Sequence, residues 1–319
     1  MAEAPRTICI LGGSGFLGLR LLQSIGGQKM NVKVLSRRVA ERRPFPTTVE
    51  VARGDLLDAE SLIRFLEPGA FVINLAYLQD RPYSDNLRAA ANLAEACTKV
   101  GVRRLLHVST AAVVGRASED VVTEDTPCRP VTDYEKVKLE IEQSLLERLA
   151  GRCGVTVLRP TEVFGAGGAG LVRLAAQVRD ASRIVGLKCA LFGRRRLHLI
   201  YVDNVVAAVL FLAFADESVD GECFLVSDDE ADQNTYGGVV RVLADAFGFP
   251  HVPRTGWEAP SFMLSGLLRL AGRSDTNPRR VYRCDKLLLA GFRKPVPFED
   301  GVRRFAEWFK SGKRTAAPI

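Results

Sequence analysis

The chain has 319 residues, a formal charge of +7, and apolar and charged fractions typical of a folded globular protein, so it can bury a large core in one domain or two interlocked ones. Its positive charge sits in short arginine clusters (Arg37-Arg38, Arg42-Arg43, Arg194 to Arg196, Arg279-Arg280) with no basic helix or aromatic-interleaved stripe, which argues for a phosphorylated ligand and against nucleic acid. Seven scattered cysteines without a CxxC pair, and only three histidines, argue against a disulfide frame and a metal centre and for reduced thiols in a cytoplasmic protein.

MAEAPR runs directly into an apolar strand, without the pattern of a secretory signal. Residues 7–11 (TICIL) read as that strand, followed by a glycine turn and by helical spacing over 16–25. The alternation continues with a strand at 32–36, a helix at 56–66, a strand at 71–77, a helix at 84–101 and a strand at 104–110. The helix containing YEKVK and a strand at 155–160 follow. Strands apolar nearly throughout, alternating with helices, predict an α/β fold: a Rossmann-type doubly wound parallel sheet covered on both faces.

From Gly165 the chain becomes rich in Gly and Arg and regains a helix only at 203–215, with a strand at 222–227 and helices at 234–247 and 300–310 beyond it. The apolar run Val205 to Ala215 is too short for a bilayer span of about 20 residues and reads as a buried helix, so no membrane partner is expected. A dinucleotide-binding domain is expected over 1–165, with 197–221 returning to it. A smaller, mostly helical substrate domain is expected over 166–196 and 222–311, and a flexible tail over 312–319.

Gly12-Gly13-Ser14-Gly15-Phe16-Leu17-Gly18 can be read as GxGxxG from Gly13 or GxxGxxG from Gly12. Either way its glycines allow a tight turn, let backbone amides approach a pyrophosphate, and let helix pack on strand. At the end of the second strand, where a carboxylate would hold an NAD ribose, the chain has Ser36-Arg37-Arg38, which suits the 2′-phosphate of NADP. Asp55 is placed either to accept from an adenine amino group or to cap a helix.

Tyr134 and Lys138 stand four apart, on one face of a helix, and a nearby ammonium would lower a phenol's pKa towards useful acid–base chemistry. Ser109-Thr110 stand at the C-terminal end of a strand, where α/β sheets place ligands.

GGSGFLG, GDLLD, NLA (74–76), the NxxxxxN helix (86–92), HVSTAAVVG, YEKVK, LRPTEVFG and YVDNVVAAV occur in an order that resembles the extended short-chain dehydrogenase/reductase family, in its nucleotide-sugar epimerase, dehydratase and ketoreductase branch. The resemblance runs from residue 7 to about 310. It implies Thr110 as the catalytic hydroxyl, Tyr134 as acid/base, Lys138 as the residue that tunes Tyr134 and binds the nicotinamide ribose, and Asn86 as a proton-relay asparagine. Cofactor contacts are implied for the glycine turn, Ser36, Arg37, Arg38, Asp55, Leu56, Leu75, Ala76, Tyr77, Ser109, Pro160, Thr161 and Val163. Arg196 matches an arginine that contacts a substrate diphosphate, and Arg279 or Arg280 could provide a second contact.

Three departures fall at positions that touch substrate: the loop from Tyr77 to Asn86 is short, Ala89-Ala90 replace a Gly-Thr pair, and Val114 replaces a tyrosine. The expected activity is hydride transfer between NADP, or NAD, and a secondary alcohol or ketone of a nucleotide-activated sugar, as reductase or epimerase. A reductase of a non-nucleotide ketone, like dihydroflavonol reductases and hydroxysteroid dehydrogenases, is the alternative. A non-catalytic NAD(P)-binding subunit fits less well because Thr110, Tyr134 and Lys138 are all present. A homodimer through the helix beginning at Asp85 and the YEKVK helix is implied. His107 and His198 read as structural or cofactor-adjacent; Trp257 and Trp308 read as core, with Trp257 also a candidate for the substrate border.

Overall fold

The computed structural model describes residues 7–26, 30–37, 45–249, 265–266 and 277–312. The first part runs β1 (Thr7–Leu11), α1 (Phe16–Ile25), β2 (Asn31–Ser36), β3 (Val49–Arg53), α2 (Ala59–Phe65), β4 (Phe71–Asn74), α3 (Tyr83–Val100), β5 (Arg104–Val108), β6 (Val121–Val122), α4 (Asp133–Leu149) and β7 (Gly154–Pro160). The rest is β8 (Glu162–Phe164), α5 (Val172–Arg179), α6 (Arg183–Phe192), β9 (Leu199–Tyr201), α7 (Val202–Phe214), β10 (Cys223–Val226), α8 (Tyr236–Phe247), β11 (Val281–Tyr282), α9 (Asp285–Leu289) and α10 (Phe298–Lys310).

Seven strands form one parallel sheet in the order β3-β2-β1-β4-β5-β7-β10. The order reverses between β1 and β4, and at such a switch point the loops leaving the two strands diverge and open a crevice. Both sheet faces are covered, which is why the strands carry apolar residues on both sides. Leu21, Leu22 and Ile25 of α1 and the Val205–Leu212 face of α7 pack on one side; α2, α3 and α4 pack on the other through Leu62, Leu93 and Val137. A further core joins α5, α8 and α10 around Phe164 and Phe305. Among the described residues no helix is long and apolar enough to cross a membrane.

Two expectations are corrected. The strand assigned to the second domain, β10, pairs with β7 from Cys223↔Val157 to Val226↔Pro160 and is the edge of the main sheet. The stretch after Gly165, expected to be irregular, holds α5 and α6. Neither helix has a side-chain N-cap, and α6 carries Gly186 in its middle, so the usual start and propensity signals are missing. Trp257 and Arg38 lie outside the described residues.

Arg104 at the start of β5 fixes the end of α7. It is 3 % exposed, pairs with Asp220 at 2.5 Å, and donates to the carbonyls of Ala215 and Asp216 at 2.7 Å each. Replacing it by Met leaves a half-buried carboxylate and two carbonyls without their donor, so Arg104→Met should lower the unfolding free energy by about 2–4 kcal/mol in denaturant titration; a loss below about 1 kcal/mol would refute this anchoring role.

Candidate active site

The glycine turn closes the crevice from the β1 side. Gly12 has φ +80°, and a Cβ there would lie 2.8 Å from the Ala76 nitrogen; one on Gly18 would lie 2.4 Å from the Gly12 carbonyl oxygen, and one on Gly13 2.7 Å from Val34 Cγ1. The backbone therefore folds tightly on itself. Ser14 and Gly15 remain exposed, and α1 begins with no capping side chain and no acidic residue in its first turn. The Gly15 amide donates to the Gly12 carbonyl at 3.1 Å, which leaves the uncapped first amides of α1 and the positive end of the helix dipole to suit an anion. Phe16 and Leu17 face the second part of the molecule, with Phe16 against Gly168.

The opposite wall is the segment after β4, joined to β1 where the Leu75 amide donates to the Leu11 carbonyl at 2.9 Å. Farther along the same edge, Ser109 and Thr161 are buried at the ends of β5 and β7, and their hydroxyls have no protein partner among the described residues. Thr161 lies between Pro160 and the half-buried Val163 of β8. Open amides at a glycine turn and two orphaned buried hydroxyls along the same edge fit a dinucleotide lying across the crevice.

At the ribose end, Ser36 closes β2 and accepts from the Gly54 amide at 3.1 Å through its carbonyl, and Arg37 is exposed beside it. Asp55 accepts from the Leu57 amide at 3.0 Å in a local turn, while capping of α2 falls to Asp58. Leu56 packs near Tyr77 against the α2–α4 core.

The chemistry-bearing side chains meet at the start of α4. Thr110 caps a short 3-10 turn over 111–114 by accepting from the Ala112 amide at 3.2 Å. Tyr134, in the first turn of α4, is 45 % exposed, and its phenol is close enough to the Thr110 hydroxyl for the two to influence one another. A capping box between Thr132 and Glu135 fixes that helix start. Lys138 is one turn deeper, 4 % exposed, and donates to the Val108 carbonyl at 3.1 Å. Between the two lies Tyr77, its ring 5.2 Å from that of Tyr134, edge-on, and its face 5.6 Å from the Lys138 ammonium.

The profile of the NAD dependent epimerase/dehydratase family matches residues 8–227. The chain belongs to this family. Among its relatives, a dTDP-6-deoxy-L-talose 4-dehydrogenase of Kitasatospora kifunensis is 30 % identical, the match covering 77 % of this chain and 81 % of that protein. A UDP-glucose 4-epimerase of Azospirillum brasilense is 29 % identical over 61 % of this chain, and the match spans only 59 % of the relative's length. Sterol demethylase protein B of Methylococcus capsulatus is 25 % identical with 90 % of this chain and 89 % of the relative covered. The crystal structure of Thermus thermophilus UDP-glucose 4-epimerase in complex with NAD has the same fold, with a TM-score of 0.72, 23 % identity, and 96 % and 100 % of the two chains covered.

Within this member of the family several sequence expectations change. Tyr134 was expected to be acidified by Lys138, yet its pKa is raised: burial and the Tyr77 phenol push it up, and the Thr110 hydroxyl only partly opposes them. The lysine is instead drawn onto Val108 and the Tyr77 face. Its own pKa falls to about 8, chiefly through burial, with Glu142 pulling the other way. Asn86 is buried with both ends of its amide on Leu78, accepting from that residue's N–H at 2.9 Å and donating to its carbonyl at 3.1 Å, so it pins the short loop.

Arg280 is not available as a substrate contact: it is 1 % exposed and donates to the carbonyls of Gly115 at 2.8 Å and Ala117 at 2.6 Å. Arg279 beside it is exposed, and Arg196 is half-buried with one guanidinium N–H on the Ala231 carbonyl at 3.1 Å. Glu142, absent from the sequence reading, is buried and held by Arg159 at 2.6 and 3.0 Å. Its spacing could have revealed it, since Tyr134, Lys138 and Glu142 form one i, i+4 stripe.

A buried cation whose pKa falls from 10.5 to about 8 makes stability pH-dependent. Below about pH 8 both states hold the proton and folding bears the full penalty; between about 8 and 10.5 the unfolded chain holds more protons, so stability rises with pH. Lys138→Met should therefore raise the cofactor-free melting temperature at neutral pH. The difference between wild type and variant should shrink as the pH passes through that window; a constant difference would count against a buried, pKa-depressed Lys138.

Proposed function

We propose that this protein is an NAD(P)-dependent oxidoreductase acting on a secondary alcohol or ketone, most simply as a reductase. The observation that carries this reading is the Tyr134–Thr110 hydroxyl pair, set beyond the C-terminal end of β5, on the same sheet edge as the glycine turn after β1. Both hydroxyls can reach one carbonyl oxygen. Thr110, anchored by its turn, orients that oxygen; Tyr134, a phenol protonated at neutral pH, gives it a proton. A phenol that holds its proton at neutral pH suits donation to a ketone better than abstraction from an alcohol. The dinucleotide, when bound, supplies the hydride. Lys138, released from Val108, would hold the nicotinamide ribose, and Ser109 and Thr161 would offer hydroxyls to the nicotinamide end.

The cofactor is proposed to be NADP rather than NAD, because Ser36 and Arg37 end β2 where an NAD-specific site would place a carboxylate. The substrate is proposed to be a nucleotide-activated sugar. The half-buried Arg196 guanidinium and the relatives named for UDP- and dTDP-sugars support this. A second reading, reduction of a non-nucleotide ketone such as a sterol, is favoured by one observation: Arg280 serves the fold, which removes one of three candidate diphosphate contacts.

Tyr134→Phe should lower turnover by about 10²–10⁴ and leave dinucleotide affinity nearly unchanged; a variant that still turns over normally would end this assignment. Titration with NADPH and NADH should show tighter NADPH binding. Saturation-transfer NMR with uridine, thymidine and guanosine diphosphates should show contact for at least one nucleotide. Preference for NADH would argue for an epimerase that retains its cofactor, and silence from all nucleotides would favour the ketone reading.

A further inference from the structure

Behind the glycine turn lies a buried hydrogen-bond chain that takes no part in the chemistry above. Asn74, which ends β4, is 6 % exposed and His107 on β5 is 1 % exposed; the asparagine Nδ2 and the imidazole Nδ1 lie 3.1 Å apart. A second contact settles which of them donates. The Ala76 amide donates to Asn74 Oδ1 at 3.1 Å, so the end of the side chain facing the imidazole is its NH₂ group. An NH₂ donor needs a lone pair on His107 Nδ1, which leaves the ring proton on Nε2. A doubly protonated ring would set donor against donor. Burial and the Lys138 ammonium act in the same sense, holding the imidazole pKa well below its ordinary value.

The Nε2 end is buried and no protein atom among the described residues accepts from it. His107 lines a cavity of about 20 Å³ together with Asn74, Ala76, Tyr77, Leu78 and Asn86. Buried N–H groups take a protein or water acceptor, and a space of that size holds about one water. The other end of the chain meets the glycine turn, for the Ala76 nitrogen that Asn74 holds is the atom 2.8 Å from where a Gly12 Cβ would be.

We infer that His107 is a positioning residue for the dinucleotide cradle: as the Nε2-protonated tautomer, with one internal water on Nε2, it orients Asn74 and thereby fixes the Ala76 backbone against which Gly12 packs. This rests on the reading of the glycine turn as a dinucleotide site. An asparagine at 107 can still present an acceptor where Nδ1 was, whereas a glutamine carries its amide out to the Nε2 position, so the two variants separate positioning from mere filling of space.

Three measurements on the full chain test the inference: ¹⁵N NMR of the imidazole, hydrogen exchange of the Ala76 amide in cofactor-free protein, and NADPH binding by fluorescence. The expected result is an Nε2-protonated ring from about pH 6 to 8.5, unchanged exchange and affinity in His107→Asn, and roughly tenfold faster exchange with roughly tenfold weaker binding in His107→Gln, the effect of one hydrogen bond. An Nδ1-protonated or titrating ring, or equal behaviour of the two variants, overturns it. Wild-type protein that binds neither NADPH nor NADH overturns both this role and the function proposed above, and only that result touches the latter.

Discussion

One close approach organises the molecule: the backbone of Gly12, leaving β1, lies against that of Leu75 and Ala76, leaving β4, with no room for a Cβ between them. Parallel strands with helices on alternate faces must diverge somewhere, and here they diverge between β1 and β4. A side chain at Gly12 would push the two ends apart and tilt α1 away from the crevice. The open amides of α1, the orphaned hydroxyls of Ser109 and Thr161, and the Tyr134–Thr110 pair are all placed relative to that junction. The requirement is steric and conformational together, since φ is also positive at Gly12.

The site holds a buried charge at a cost to the free protein. Lys138 is a buried cation whose nearest acceptor is a backbone carbonyl, and the adjacent carboxylate of Glu142 is already engaged by Arg159. Such an arrangement destabilises the free protein and leaves an ammonium ready for a better partner. Sites of this kind commonly trade folding stability for function. Tyr77 is part of the same balance, its ring lying against both the ammonium and the Tyr134 ring.

Much of this was legible before any coordinates. Apolar runs such as TICIL and FVIN announce strands covered on both faces, and the glycine spacing announces the turn, because each depends on local chemistry alone. The helical phase of Tyr134 and Lys138 was equally plain. What spacing could not show is that a residue fifty-odd positions upstream, Tyr77, would stand between them, or that the Arg280 side chain would turn inward. Both are tertiary facts. The helices after Gly165 were missed for a different reason: α5 and α6 are stabilised by packing on α8 and not by caps or propensity.

Arg280 ties the turn behind Thr110 to a segment far along the chain, and beside it β11 pairs with β6 through Val281↔Val121 and Tyr282↔Val122. Although the sheet looks like a self-contained unit, the loop that follows Thr110 is completed by residues close to the far end. The nucleotide-binding portion is thus not a portable module. Excised or fused to a foreign partner, it would keep its glycine turn and lose the scaffold of the turn that Thr110 caps, so exchange of specificity by swapping whole domains would have to carry the 277–283 segment along.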